Sequence, residues 1–205
     1  MMIGIIDLGL SNLKSINNAV KSLGHETIIL TEGNSKNVKK VTNMILPGVG
    51  SYLNLANNLA KSMGLKDGIE NHVSLGKPFL GICLGMQFLS SEGFEHGVSK
   101  GLNLIPGKVV KIKTVKRLKI PHVGWNELLI LQKNNIFKNI KSKTNLYFIH
   151  SYYYVPNSQS HVIAETIYGL KIPAVVNKDN IYGFQFHPEK SSSSGLQMLD
   201  NFCKI

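Results

Sequence analysis

The stretch Gly81-Ile82-Cys83-Leu84-Gly85 constrains this chain more than any other. The apolar run from Lys77 to Ile82 reads as a strand, and Leu84 to Ser90 reads as the start of a helix. The backbone must turn sharply at Cys83, as in the strand-to-helix elbow that carries serine in G-x-S-x-G sequences. A side chain at either flanking glycine would crowd the turn or the neighbouring strand. An elbow of this kind needs a sheet on one side and a helix on the other, which points to an α/β domain.

The remainder of the first half agrees. Met2 to Asp7 reads as a strand and Gly9 to Ser11 as a turn. Asn12 to Leu23 carries Leu13, Ile16, Val20 and Leu23 at helical spacing, with Gly24 placed to stop the helix. Glu26 to Leu30 and Thr42 to Leu46 read as strands, the second ended by Pro47-Gly48-Val49-Gly50. Tyr52 to Met63 reads as a helix. Strands alternating with helices predict a central, mostly parallel sheet. The second half changes character. Gly107 to Lys113, Leu118 to Pro121, Leu146 to Tyr154, Ser160 to Thr166, Ala174 to Asn177 and Ile181 to Phe186 read as strands without intervening helices. They predict an antiparallel extension of the sheet, closed by a helix near Ser194 to Lys204. There is no repeat, low-complexity tract or linker, so one domain over residues 1–205 is expected.

Composition excludes several classes of function. No window approaches the roughly 18 uninterrupted apolar residues of a membrane span. Met1 to Leu8 is short, lacks a basic lead and runs into Asp7, so it reads as a buried first strand rather than a signal peptide, and a cytoplasmic location is expected. The two cysteines, Cys83 and Cys203, are too few for a disulfide framework, and the Cys/His spacing of a zinc site is missing. No metal or cofactor is expected. The formal net charge of +11 would suit nucleic acid, but Arg117 is the only arginine and the lysines are scattered. A solvated lysine surface, or a face for an acidic partner, is the expectation instead.

Three stretches carry candidate chemistry. At the elbow, unpaired N–H groups at the start of the helix favour a Cys83 thiolate, the form that attacks a carbonyl carbon. The Leu84 N–H would point at the oxygen that becomes negative. A buried structural cysteine is the plain alternative, and the glycine frame weighs against it. Cys203 has no such frame and reads as packing on the last helix. In Leu46-Pro47-Gly48-Val49-Gly50-Ser51, glycines after a strand let the backbone approach a ligand, and one N–H here is a candidate second oxyanion donor; an ordinary turn is equally compatible. The stretch lacks the Gly-Lys-Ser/Thr ending of a phosphate loop. In Phe184-Gln185-Phe186-His187-Pro188-Glu189, His187 and Glu189 sit two apart at a strand end. Extended backbone would put both on one side, leaving Glu189 to orient one ring nitrogen while the other takes a proton. His25, His72, His96, His122, His150 and His161 have no carboxylate at such spacing and read mostly as surface or loop residues.

Taken together, these residues resemble the class I, triad-type glutamine amidotransferases, and among them the glutaminase subunits of imidazole glycerol phosphate synthase. The resemblance runs over nearly the whole chain. It includes Ile5-Ile6-Asp7 with Gly9, Asn12 to Ser15, Leu46 to Gly50, Gly81 to Gln87, Pro121-His122-Val123-Gly124-Trp125-Asn126, Tyr147 to Tyr153 and Gly183 to Ser192. It implies a three-layer, flavodoxin-like α/β fold and hydrolysis of L-glutamine to glutamate and ammonia. Cys83 is then the nucleophile, His187 the base and Glu189 its orienter. Gly48, Val49, Gly50 and Leu84 supply the oxyanion hole, and Gln87, Glu95, Ser151 and Tyr152 hold glutamine. Pro121, His122, Gly124, Trp125, Asn126, Tyr147, His150 and Lys190 fall in segments that meet a (β/α)8-barrel cyclase in a heterodimer of histidine biosynthesis, which receives the ammonia. The first loop, Asp7-Leu8-Gly9-Leu10-Ser11-Asn12, departs from the family's usual Asp-Tyr-Gly-x-Gly-Asn. The alternatives are a paralogue that feeds ammonia to a sugar amidotransferase of cell-surface glycans, a cysteine peptidase, and a non-catalytic regulatory subunit.

Overall fold

The computed structural model describes residues 1–113 and 118–205. The first half runs β1 (Met2–Ile6), α1 (Leu13–Ser22), β2 (Glu26–Leu30), a 3-10 segment (Glu32–Lys40), β3 (Asn43–Gly48), α2 (Tyr52–Ala60), α3 (Met63–Ser74), β4 (Phe79–Cys83) and α4 (Leu84–Gln87). Two short strands follow, β5 (Glu92–Gly93) and β6 (Ser99–Lys100), then β7 (Gly107–Lys111). The second half holds β8 (His122–Ile130), β9 (Thr144–His150), β10 (Tyr152–Pro156), β11 (Val162–Ile167), β12 (Lys171–Lys178), β13 (Ile181–Phe184) and α5 (Ser192–Cys203).

Nine strands form one sheet in the order β2-β1-β3-β4-β13-β12-β11-β8-β9. The pairs from β2 through β13 are parallel, and those from β13 to β9 are antiparallel. The expected parallel sheet with an antiparallel extension is therefore present. A second sheet, β10-β7-β5-β6, stands beside it. Alternate residues of the parallel strands feed two separate cores. Ile3, Ile5, Ile45, Leu80 and Ile82 pack with Ile16 and Val20 of α1 and Met198, Leu199 and Phe202 of α5. Ile6, Met44, Leu46 and Phe79 pack with Leu55 and Leu59 of α2 and Leu65 and Ile69 of α3. Helices thus cover both faces, which is the three-layer arrangement. Each fully buried aliphatic side chain contributes about 1.5–3 kcal/mol, so both cores hold helices against the sheet. Among the described residues no helix is long and apolar enough to cross a membrane.

Several local expectations are corrected. The helix over Tyr52 to Met63 ends at Ala60, and a second helix, α3, follows it. Gly64 and Gly68 hid α3 by lowering helix propensity. Their role is close packing: a Cβ on Gly68 would lie 2.8 Å from Val38 of the 3-10 segment. Helix α4 is one turn, not the longer helix read to Ser90. Leu118 to Pro121 forms no strand. Leu146 to Tyr154 is broken at Ser151 into β9 and β10, which join different sheets. β8 was not anticipated because its alternation is inverted: His122 and Leu128 point inward, whereas Val123 and Trp125 face out.

Candidate active site

Strand register builds the site. Gly48 at the end of β3 pairs with Cys83 at the end of β4, and β13 on the other side of β4 delivers His187 a few residues past its end. Cys83 has φ 55° and ψ −110°, a left-handed conformation that costs a non-glycine residue about 1–3 kcal/mol. Its neighbours allow this. A Cβ on Gly85 would overlap the Leu46 carbonyl oxygen, and one on Gly81 would overlap the carbonyl of Gly85. The glycines are therefore required by close backbone approach, as the sequence predicts. Cys83 is buried, and its Sγ lies 3.8 Å from the Ile149 carbonyl and 3.9 Å from Nε2 of Gln185. Cys203 is also buried, and burial pushes its thiol up to about 12; it packs on α5 among apolar neighbours.

His187 Nδ1 lies 2.9 Å from Oε1 of Glu189, and both side chains are almost fully buried. The local geometry differs from extended backbone. Pro188–Lys190 forms a 3-10 turn with His187 at its N-cap. Proline suits the first position of such a turn, where no N–H is needed. The turn, rather than strand pleating, folds Glu189 back onto the ring. Ser191 locks it by donating to the His187 carbonyl at 2.6 Å and accepting the Tyr147 N–H at 2.9 Å. His187 Nε2 is buried and has no hydrogen-bond partner among the described residues. Burial disfavours charge on His187, but the neighbouring Cys83 and Glu189 outweigh it and push its pKa up to about 10. Both neighbours therefore favour a proton on the His187 ring.

A cleft of about 300 Å³ opens at the elbow, lined by Val49, Gly50, Cys83, Leu84, Gln87, Glu95, Pro121, Ile149, His150, Ser151, Tyr152 and His187. That volume is at the lower end of small-molecule sites, roughly 300–1,000 Å³. The residues read as substrate-holding thus meet in one place. Two of them are already engaged. Glu95 Oε2 accepts the Tyr52 N–H at 2.7 Å, capping α2. Gln87 Nε2 donates to the Tyr152 carbonyl at 2.9 Å and to Oε1 of Gln185 at 3.0 Å.

The loop after β3 is tied to the first loop of the chain. The Val49 N–H donates to the Leu10 carbonyl at 2.8 Å, so it is turned into the first loop rather than towards the cleft. Asn58 holds the same loop through the Leu8 carbonyl at 2.7 Å.

The segments read as partner-facing split between two sides of the β8–β9 hairpin. Val123 pairs with Ile149 and Trp125 with Tyr147 on the outer side. Trp125 and Val123 are each 52% exposed and Ile149 40%. Lys190 Nζ sits 5.8 Å above the Tyr147 ring. Pro121 is exposed, and Gly124 and Asn126 are half-buried. His122 and His150 pair on the inner side and are buried, which corrects their reading as surface histidines. His25 likewise finds a carboxylate, Asp200 at 2.8 Å, across 175 residues of sequence separation. His72 is buried too, 3.0 Å from the Pro78 carbonyl. Gln185 was missed altogether, although a glutamine between Phe184 and Phe186 in a buried strand is itself a signal, since buried polar side chains need partners.

The α/β sheet thus presents Cys83 on a strained elbow, with a buried histidine–glutamate pair lining the same cleft region. The sequence model of the family described as glutamine amidotransferase class-I matches residues 4–205. The chain is 46% identical over 201 residues to the imidazole glycerol phosphate synthase subunit HisH of Caldanaerobacter subterraneus subsp. tengcongensis, covering 98% of this chain and 97% of that one. It is 43% identical to the HisH subunit of Methanocaldococcus jannaschii over 204 residues, the full length of both. Among solved structures, PurLQS from Thermotoga maritima superposes with TM-score 0.77 at 18% identity, covering 99% of this chain and 97% of that one. This last likeness is one of fold. The chain belongs to the class I glutamine amidotransferase family.

Proposed function

We propose that this glutamine amidotransferase is the glutaminase subunit of an imidazole glycerol phosphate synthase and passes ammonia to a (β/α)8-barrel cyclase. One observation carries the reading: Cys83 and His187 open into the same cleft as Gln87, Glu95 and the Ser151–Tyr152 backbone. The Cys83 thiolate attacks the side-chain amide carbon of glutamine, forming the C–S bond. His187 gives its proton to the departing nitrogen, and ammonia leaves. Water then adds to the γ-glutamyl thioester as His187 takes its proton, and glutamate departs with the thiolate restored. The second carboxylate oxygen of Glu95 suits the α-ammonium of glutamine, and backbone N–H groups near Ser151 suit its carboxylate. Ammonia in neutral water is mostly protonated and unreactive, so a shielded passage into the partner fits the chemistry.

The Val49–Leu10 hydrogen bond supports a low basal rate, because one missing oxyanion donor typically costs about 2.7–4 kcal/mol, roughly 10²–10³ in kcat. The deciding experiment measures glutamate release by the chain alone and with the cyclase. At least a hundredfold stimulation is expected. No stimulation would redirect the reading to a sugar amidotransferase partner.

The outer side of the β8–β9 hairpin supports the docking face. Trp125 packs edge-on against Tyr147 with centroids 6.1 Å apart, a rigid exposed aromatic pair of the kind that anchors interfaces. Trp125→Ala is expected to raise the dissociation constant for the cyclase about 30-fold or more, a cost of roughly 2 kcal/mol. Titration calorimetry checks this, and the thermal midpoint of the isolated chain should stay put.

A further inference from the structure

Two buried histidines lie beside the cleft without a part in the proposed mechanism. His122 and His150 are directly opposed cross-strand partners at the end of the hairpin. His150 Nδ1 is 2.8 Å from the Tyr152 carbonyl, and His150 Nε2 is 3.0 Å from His122 Nδ1. A carbonyl only accepts, so the proton of His150 sits on Nδ1. Its Nε2 then offers a lone pair, and His122 must donate from its own Nδ1. His122 Nε2 is left as an acceptor, 3.5 Å from Nδ2 of Asn126. Every donor along this line meets an acceptor only if both rings are neutral. Burial makes them so, lowering His150 to about 3, with its Tyr152 hydrogen bond acting the other way, and lowering His122 to about 4.

The pair is held more firmly than a space-filling pair would need. The His122 ring lies between Tyr168, at a centroid distance of 3.9 Å, and Phe148, at 5.1 Å, stacked on both. Tyr168 is fixed in turn by its hydroxyl, which donates to the Lys119 carbonyl at 2.7 Å. The far end of the line is the Tyr152 carbonyl, which also accepts from Gln87 of α4. That one oxygen therefore ties the break between β9 and β10 to the helix that follows Cys83.

The geometry points to His122 as a positioning residue: through His150 and the Tyr152 carbonyl it sets the Ser151–Tyr152 backbone and Gln87 in the conformation that receives glutamine. This rests on the glutaminase reading. The ring of His122 touches no reacting atom, so its loss should weaken glutamine binding and spare the thiol chemistry.

The test compares wild type, His122→Leu and His122→Asn in the complex with the cyclase. Leucine removes the donor; the asparagine amide returns an N–H near the Nδ1 position. For His122→Leu, KM for glutamine should rise about tenfold, the scale of one lost hydrogen bond, with kcat within about twofold. His122→Asn should recover KM to within about threefold. Alkylation of Cys83 by iodoacetamide should proceed at the wild-type rate in both. Equal KM values in all three proteins, or a fall in kcat alone, would overturn the proposal. A second arm needs neither activity nor a variant that folds: nitrogen-15 spectra of the wild-type chain at neutral pH, with the His122 and His150 signals assigned, should show both of these rings neutral and protonated at Nδ1. Either of these two rings protonated at Nε2 or at both nitrogens would overturn the proposal as well. If the ring pattern holds while the wild-type complex releases no glutamate, the glutaminase reading fails and the positioning role falls with it, while the hydrogen-bonded pair itself stands.

Discussion

Cys83→Ala is expected to reduce glutamate release in the presence of the cyclase by about 10⁴-fold or more, leaving no covalent intermediate to accumulate. The size of the loss follows from the chemistry proposed for the elbow. His187 can protonate a leaving nitrogen only after a nucleophile has made the tetrahedral carbon, and among the described residues the other hydroxyls lining the cleft are those of Ser151 and Tyr152, which are far weaker nucleophiles than a thiolate. Loss through unfolding is not expected. Alanine has the same backbone preferences as cysteine in the strained φ 55°, ψ −110° conformation, so the elbow keeps its strain and its packing against Leu46 and Gly85. The variant should also lose the negative group that helps hold the proton on His187, which makes its imidazole easier to deprotonate than in wild type. Glutamate release and the thermal midpoint, measured on the same preparation, separate the effects: wild-type turnover would remove Cys83 from the mechanism, and a collapsed midpoint would mean that alanine is not tolerated at the elbow.

The elbow was legible because its constraint is steric and local. Two glycines spaced around a cysteine record the close approach of Leu46 and Gly85 backbone atoms directly. The parallel strands were legible for a related reason. β1 and β4 are buried on both faces and read as apolar runs, and Met2–Ile6, Glu26–Leu30 and Phe79–Cys83 fall within about two residues of expectation. What escaped notice depends on partners far along the chain. The glycines of α3 look like helix breakers until the 3-10 segment is laid against them. β8 turns Val123 and Trp125 outward and His122 inward, the reverse of the alternation that marks a strand with one solvent face. The break at Ser151 is a change of sheet, which no residue type announces. His187 and Glu189 were found by type and spacing, yet the 3-10 turn that joins them was not. The Val49 N–H is the extreme case: its hydrogen bond to the Leu10 carbonyl depends on the rotation of one peptide plane, which no residue type encodes.

Glu189→Gln should lower kcat/KM by about 10²–10⁴-fold, the range over which loss of an orienting carboxylate acts in triads of this kind. The amide oxygen can still accept from Nδ1 of His187, so the ring need not move far. What disappears is the charge. Glu189 is one of the groups that raise the pKa of His187 against its burial, and without it the thiolate–imidazolium state loses support from one side. A glutamine nitrogen in place of Oε2, which is buried with no partner, would add an unsatisfied donor costing about 1–3 kcal/mol. The pH dependence gives the sharper test. His187 has a folded pKa near 10, above its ordinary 6.5. Its ion-pair contribution to stability is therefore complete below about pH 6.5 and is lost as pH rises through about 10. In Glu189→Gln the upper end of that window should move down towards neutrality, because only Cys83 then holds the proton. Thermal midpoints recorded from pH 6 to 10.5 should differ most at the acid end and draw together as pH rises from neutrality through about 10, where wild-type His187 has also lost its proton. Parallel curves with a constant offset would show that Glu189 acts through packing rather than charge, and would remove it as the group that sustains the imidazolium.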